Sequence, residues 1–169
     1  MLIATMAAQL AIETGRPIDE ALDVLQVFRM NPPFREHFRE KRGSEDHVEP
    51  TPYHAAAILI GLFIGCPQRS LPETAEHLLS LPIAGPSPCS VTGADRFGPA
   101  LETIIGVPDI TTRIASVAIA VEGGWAEYRT DIAGQGAVFG AVDQGVAVRR
   151  FVEIDGSVVR AAAQAIGPP

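Results

Sequence analysis

The residues of this chain whose types and spacing suit a chemical task are basic. Arg29, Arg35, Arg39, Lys41 and Arg42 fall close together, and Arg16 and Gln26 shortly precede them. Guanidinium and ammonium groups grouped in this way neutralise phosphates and fix a protein on a nucleic-acid backbone, while a helix lying in the groove reads the bases. Arg16, Gln26 and Arg29 suit such a helix, and Arg35, Arg39, Lys41 and Arg42 suit phosphate contacts from a wing-like loop. The same stretch carries opposing charge. Asp19, Glu20 and Asp23 crowd the start of the would-be reading helix, and Glu36 and Glu40 are interleaved with the bases, which also makes a solvated, ion-paired face.

A second group is Trp125, Tyr128 and Arg129. On a strand, residues three apart point to opposite faces, so one ring packs inward while the other, beside Arg129, is a candidate anchor for a partner. Other chemistries find no pattern. Cys66 and Cys89 form no Cys-x-x-Cys pair, and His37, His47, His54 and His77 are scattered, short of the converging ligands that zinc takes. Gly134-Gln135-Gly136 runs into Ala137-Val138-Phe139, a strand, whereas a dinucleotide loop must open a helix. Asp155-Gly156-Ser157 has no base partner, and no nucleophile-elbow, zinc-protease or phosphate-loop motif occurs. No catalytic residue, metal or cofactor is expected, and the chain reads as non-enzymatic.

The elements that would position these groups follow from periodicity. Residues 2–14 repeat apolar positions at helical spacing, and Thr14-Gly15 closes the pattern as a cap. Pro17 opens a second helix whose expected buried stripe is Ile18, Ala21, Leu22, Leu25 and Phe28, and Asn31-Pro32-Pro33 stops it. Such a pair, with small residues at its crossing and glycine in its turn, is helix-turn-helix-like. Phe34 and Phe38 give the next short segment an apolar edge, and residues 43–50 are a polar loop. Thr51 caps and Pro52 opens a core helix to about Ile64, in which Leu59, Ile60 and Phe63 should be buried. A shorter helix covers Pro72 to Leu81.

Beyond the Pro- and Gly-rich residues that follow, one helix from about Ala94 to Ile105 precedes alternating segments. Ala115, Val117, Ile119 and Val121 share one strand face, Gly123-Gly124 and Asp143-Gln144-Gly145 mark turns, and Ser157 caps a last helix that Gly167 ends. The expected fold is α+β: an N-terminal helix-turn-helix-like helical bundle, residues 1–82, then a linker, 83–92, then an antiparallel sheet flanked by helices, 93–169.

Composition sets the boundaries. The net charge of −7 is shared by both halves, so any contact with nucleic acid needs a segregated basic face. Met1 to Leu10 lacks a basic n-region, and the apolar run Ala55 to Ile64 is about ten residues long, against the roughly twenty of a membrane span. A buried helix, no membrane contact, free thiols and a cytoplasmic protein are the corresponding expectations.

Taken together, the Thr14-Gly15-Arg16-Pro17 turn, the Lys41-Arg42-Gly43 loop, the Thr51-Pro52 start of an Ala-rich helix and the closing strand-Asp155-Gly156-helix resemble a group of small prophage-associated proteins of GC-rich bacteria with a winged-helix-like N-terminus. In place of that group's glycine- and arginine-rich wing the chain has Glu45, Asp46 and Glu49. The resemblance implies an accessory role on a mobile element. Two functions are expected in that setting: a regulator that contacts DNA through its N-terminal module while the C-terminal module dimerises or binds a partner, or an acidic protein-binding inhibitor of the anti-CRISPR, anti-defence kind. The partner is accordingly DNA or a host or phage protein.

Overall fold

In the computed structural model, residues 2–38, 49–85, 88–120, 124–141 and 151–166 are described. Among the described residues the α-helices and strands follow in the order α1 (Ile3–Glu13), α2 (Ile18–Met30), α3 (Arg35–Phe38), α4 (Pro52–Ile64), α5 (Leu71–Leu79), α6 (Phe97–Gly106), α7 (Pro108–Thr111), β1 (Ile114–Ala120), β2 (Trp125–Thr130), β3 (Gly136–Gly140), β4 (Phe151–Asp155) and α8 (Gly156–Ile166), with a 3-10 turn at Gln68–Ser70 before α5. The fold is α+β, with the antiparallel sheet in the order β3-β2-β1-β4.

Helix α4 is hydrophobic all round, and such a helix must be surrounded. It packs against α1, α2, α5, α6 and α8, and every residue from His54 to Leu62 is buried. Phe63 departs from expectation: it is only half-buried and lies under the Arg16 guanidinium, 5.4 Å from its ring centre. Gly61 lets α2 come close, since a Cβ there would lie 2.5 Å from Val24 Cγ1. Phe34 and Phe38 are buried with Phe28, whose ring stacks 4.2 Å from that of Phe34.

The α1–α2 turn is a Schellman cap. Arg16 N–H reaches the Ala11 carbonyl at 2.8 Å, Gly15 N–H reaches that of Ile12 at 3.1 Å, and Gly15 has the φ of +67° that the motif needs. The buried stripe of α2 is Ala21, Val24, Leu25 and Phe28, not the wider set expected: Ile18 and Leu22 are exposed. Positions 21, 24, 25 and 28 already complete one helical face, and 18 and 22 fall on its flank.

The core does not divide near residue 83. One buried cluster runs from Ile3 to Ala165, α6 and α8 both pack on α4, and α8 also packs on α1. The start of the segment expected to be a linker is tied to the sheet. Ala84 N–H donates to the Val138 carbonyl and Gly140 N–H to that of Pro82, both at 2.7 Å, so residues 82–84 cover the outer edge of β3.

Two local readings change. A bulge between Ile114 and Ser116 sends Ile114 inward and leaves Ala115 exposed, breaking the expected face. The cap of α8 is Asp155, whose carboxylate takes the Ser157 N–H at 2.7 Å, rather than Ser157 itself. The helix can start there because Gly156 has no side chain, for a Cβ would collide with the Ile114 carbonyl oxygen. Helix α7 has no counterpart in the periodicity, and the expectations for Val121, Gly123, residues 142–150 and Gly167 lie outside the described residues.

Two substitutions check this packing by urea unfolding. Ile60→Ala should lower stability by about 2–5 kcal/mol, through lost burial and a cavity. Gly156→Ala should lower it by about 1–3 kcal/mol by overpacking, and an unchanged midpoint would mean that α8 leaves β4 differently.

Candidate functional site

The surface that the sequence singled out for nucleic acid is the α1–α2 hairpin with α3. Arg16 sits at the turn, half-buried, and is engaged within the molecule: its guanidinium lies over Phe63 and 3.5 Å from the Glu20 carboxylate. Gln26 and Arg35 are exposed, and Arg29 is half-buried near the far end of α2. Arg39, Lys41 and Arg42, with Glu45 and Asp46, lie outside the described residues.

What the first turns of α2 present outward is acidic and apolar. Asp19 and Asp23 are exposed one helical turn apart, and the Asp23 carboxylate takes a hydrogen bond from the Gln68 amide at 3.4 Å. Ile18 is 43% exposed and Leu22 39%, again one turn apart, while Ile12, on the other side of the Schellman turn, is 58% exposed. These residues share one end of the hairpin. Sequence reading assigned Ile18 and Leu22 to the core and gave Ile12 no role. The available signal was the completeness of the 21, 24, 25, 28 set, which leaves no inward place for either.

The second group is split by the sheet. Tyr128 is buried on the face that meets the helices, so it is not a surface anchor as first expected. Its hydroxyl lies 2.7 Å from the Cys89 sulfur. Trp125 and Arg129 are on the opposite face, where Trp125 is half-buried with its ring 5.8 Å from that of exposed Phe151. Both rings come from residues paired with Ala120, so they meet above it. Arg129 forms an ion pair with Glu127, a largely buried carboxylate on the same face.

Cys66 and Cys89 are free thiols. Burial pushes the Cys89 thiol up, but hydrogen bonds with Thr92 and Tyr128 and with the backbone at Thr92 and Val91 outweigh it and hold the thiol below its ordinary value. Burial, and then the neighbouring Cys89, raises the Tyr128 hydroxyl. A cleft of about 690 Å³ opens beside this pair, between residues 83–85 and 88–90 on one side and the β2–β3 hairpin on the other. Among the described residues no group of three or more His, Cys, Asp or Glu is placed to hold a metal ion, and no helix is long and apolar enough to cross a membrane.

His54 is the buried titratable group at the start of α4. Its Nδ1 takes the Thr51 backbone N–H at 3.1 Å and lies 2.8 Å from the Thr51 hydroxyl, so the proton sits on Nε2, which meets the His37 carbonyl at 2.9 Å. The ring thus acts as the third-position partner of a capping box.

No protein-family model, curated protein or solved structure matches this chain.

Burial lowers the His54 pKa below its ordinary value of 6.5, outweighing the hydrogen bond to the His37 carbonyl, which raises it; the charge of the His37 ring adds a smaller downward push. Above that value both folded and unfolded chains hold the ring neutral and the contribution is complete. Below it the unfolded chain binds a proton that the folded chain refuses, so stability is lost as pH falls towards the depressed folded value. The urea midpoint should therefore drop between pH 7 and pH 5 in the wild type more than in His54→Gln, which keeps a capping side chain without titrating. Parallel pH profiles would show that His54 is not held neutral by the fold.

Proposed function

We propose that this protein is a non-catalytic binding protein that contacts another protein through the outward side of its α1–α2 hairpin. The observation that carries the reading is the outward combination of Ile12, Ile18 and Leu22 with Asp19 and Asp23. Exposed aliphatic groups are wasted on a phosphate backbone but bury well against a protein surface, and carboxylates at a helix N-terminus repel the duplex. Arg16, which a DNA reader would extend towards phosphate, is held by Phe63 and Glu20. This is the acidic protein-binding inhibitor of the two expected functions. An accessory role on a mobile element is the setting that goes with it.

DNA binding is the second reading, supported by the compact Schellman turn between the helices and by Gln26, Arg29 and Arg35 on the same half of the chain. Affinity capture from a bacterial host extract, with and without nuclease, separates the two. A protein captured in both conditions, and lost with Leu22→Ser, is expected. Capture abolished by nuclease, together with retardation of duplex DNA at low ionic strength that Arg29→Ala and Arg35→Ala weaken, would replace the protein reading with the DNA one.

A further inference from the structure

We infer that the partner surface is basic, with an apolar depression between its cationic groups; this rests on the reading of the hairpin as a protein-contact surface. The hairpin end presents two kinds of group in alternation. Ile18 and Leu22 stand one helical turn apart on α2, and Asp19 and Asp23 follow each of them by one residue. One turn of helix is about 5.4 Å, so an apolar ridge and a carboxylate ridge run side by side along the first two turns.

Charge then decides what fits against them. Glu13, Asp19, Glu20 and Asp23 belong to this end of the hairpin, and Arg16 beside them is paired with Glu20. Asp23 has the neutral amide of Gln68 beside it. A second copy docked face to face would set Asp19 and Asp23 against the same residues, which like-charge repulsion opposes, and DNA is opposed in the same way. A cationic protein surface meets no such penalty. It gains steering from the net charge of −7 as well as local pairing.

Apolar contact must supply the rest, because exposed ion pairs alone are weak. Ile12, Ile18 and Leu22 are the aliphatic side chains available for it at this end. The partner therefore needs a depression for at least Ile18 and Leu22, rimmed by lysine or arginine.

The test uses the whole chain and two synthetic amphipathic helical peptides, one of leucine and lysine and one of leucine and glutamate, followed by amide chemical shifts. The leucine–lysine peptide is expected to move resonances of residues 9–26, saturably and more weakly as salt rises. Asp19→Asn with Asp23→Asn should weaken binding about tenfold and flatten the salt dependence, and Leu22→Ser should weaken it about tenfold while leaving the salt dependence in place. Phe151→Ser, on the sheet, should change neither. Equal binding of the leucine–glutamate peptide, or concentration-dependent shifts in the hairpin with no peptide added, would overturn the basic-partner inference and leave the hairpin as a protein-contact surface. Failure of both peptides to move the hairpin would overturn the inference as well. If duplex DNA moved those resonances instead, the underlying reading would fall with it.

Discussion

Burial of α4 on all sides is the constraint on which the other elements depend. A helix with Ala55, Ala56, Ala57, Ile58, Leu59 and Ile60 in succession has no polar face to offer water, so α1, α2, α5, α6 and α8 must enclose it. Its ends are fixed as well: Thr51 and His54 satisfy the first turn, and Gly65 leaves the last turn with a φ of +59°. Alanine and glycine on its surface keep the surrounding helices close, as Gly61 does for Val24 and Phe28. The sheet is added to this assembly through α8 and α6, with Phe97 of α6 meeting Phe139 of β3 at 5.6 Å.

Enclosure of α4 also explains why the chain forms one core across its Pro-rich middle. Five helices are needed to cover it, and the first 82 residues supply three of those in contact with it, α1, α2 and α5. The remaining sides are closed by α6 and α8, which arrive only after residue 96. A division at residue 83 would expose apolar flanks of α4 to water, and the bonds from residues 82 and 84 to β3 hold residues 82–84 against the sheet.

Local chemistry was legible in the sequence wherever one short signal decided the outcome. Gly15 marked a helix end, Thr51-Pro52 marked a start, and period-two apolar residues marked β1. The sequence was silent where a distant backbone decided. Asp155 became the cap of α8 because Gly156 packs against Ile114, a residue more than forty positions away in the chain. Ala115 left the inner face because of a bulge that alternation cannot announce. Of the candidate sites, the opposite orientation of Trp125 and Tyr128 followed from strand geometry, but which ring was inside depended on where α6 and α8 lie. For α2, Ala21, Leu25 and Phe28 lie inward as expected, but Val24 completes the buried face in place of Ile18 and Leu22, since apolar type alone does not say whether a side chain is covered.

That last distinction bears on function. Ile18 and Leu22 add little to the core, because Ala21, Val24, Leu25 and Phe28 already fill the contact between α2 and its neighbours. Isoleucine is also a weaker helix former than many polar residues that would serve equally well at an exposed site. Single exposed aliphatic groups need no explanation in a folded protein, but several at one end of a hairpin, beside two outward aspartates, are not required by the packing around α4. The fold fixes the inward face of α2 tightly through Gly61 and the phenylalanine cluster, and so presents the outward face in one orientation. A rigidly held helix with its own core contacts complete loses little entropy when a second protein covers the other side, which is the physical condition for a preformed docking surface.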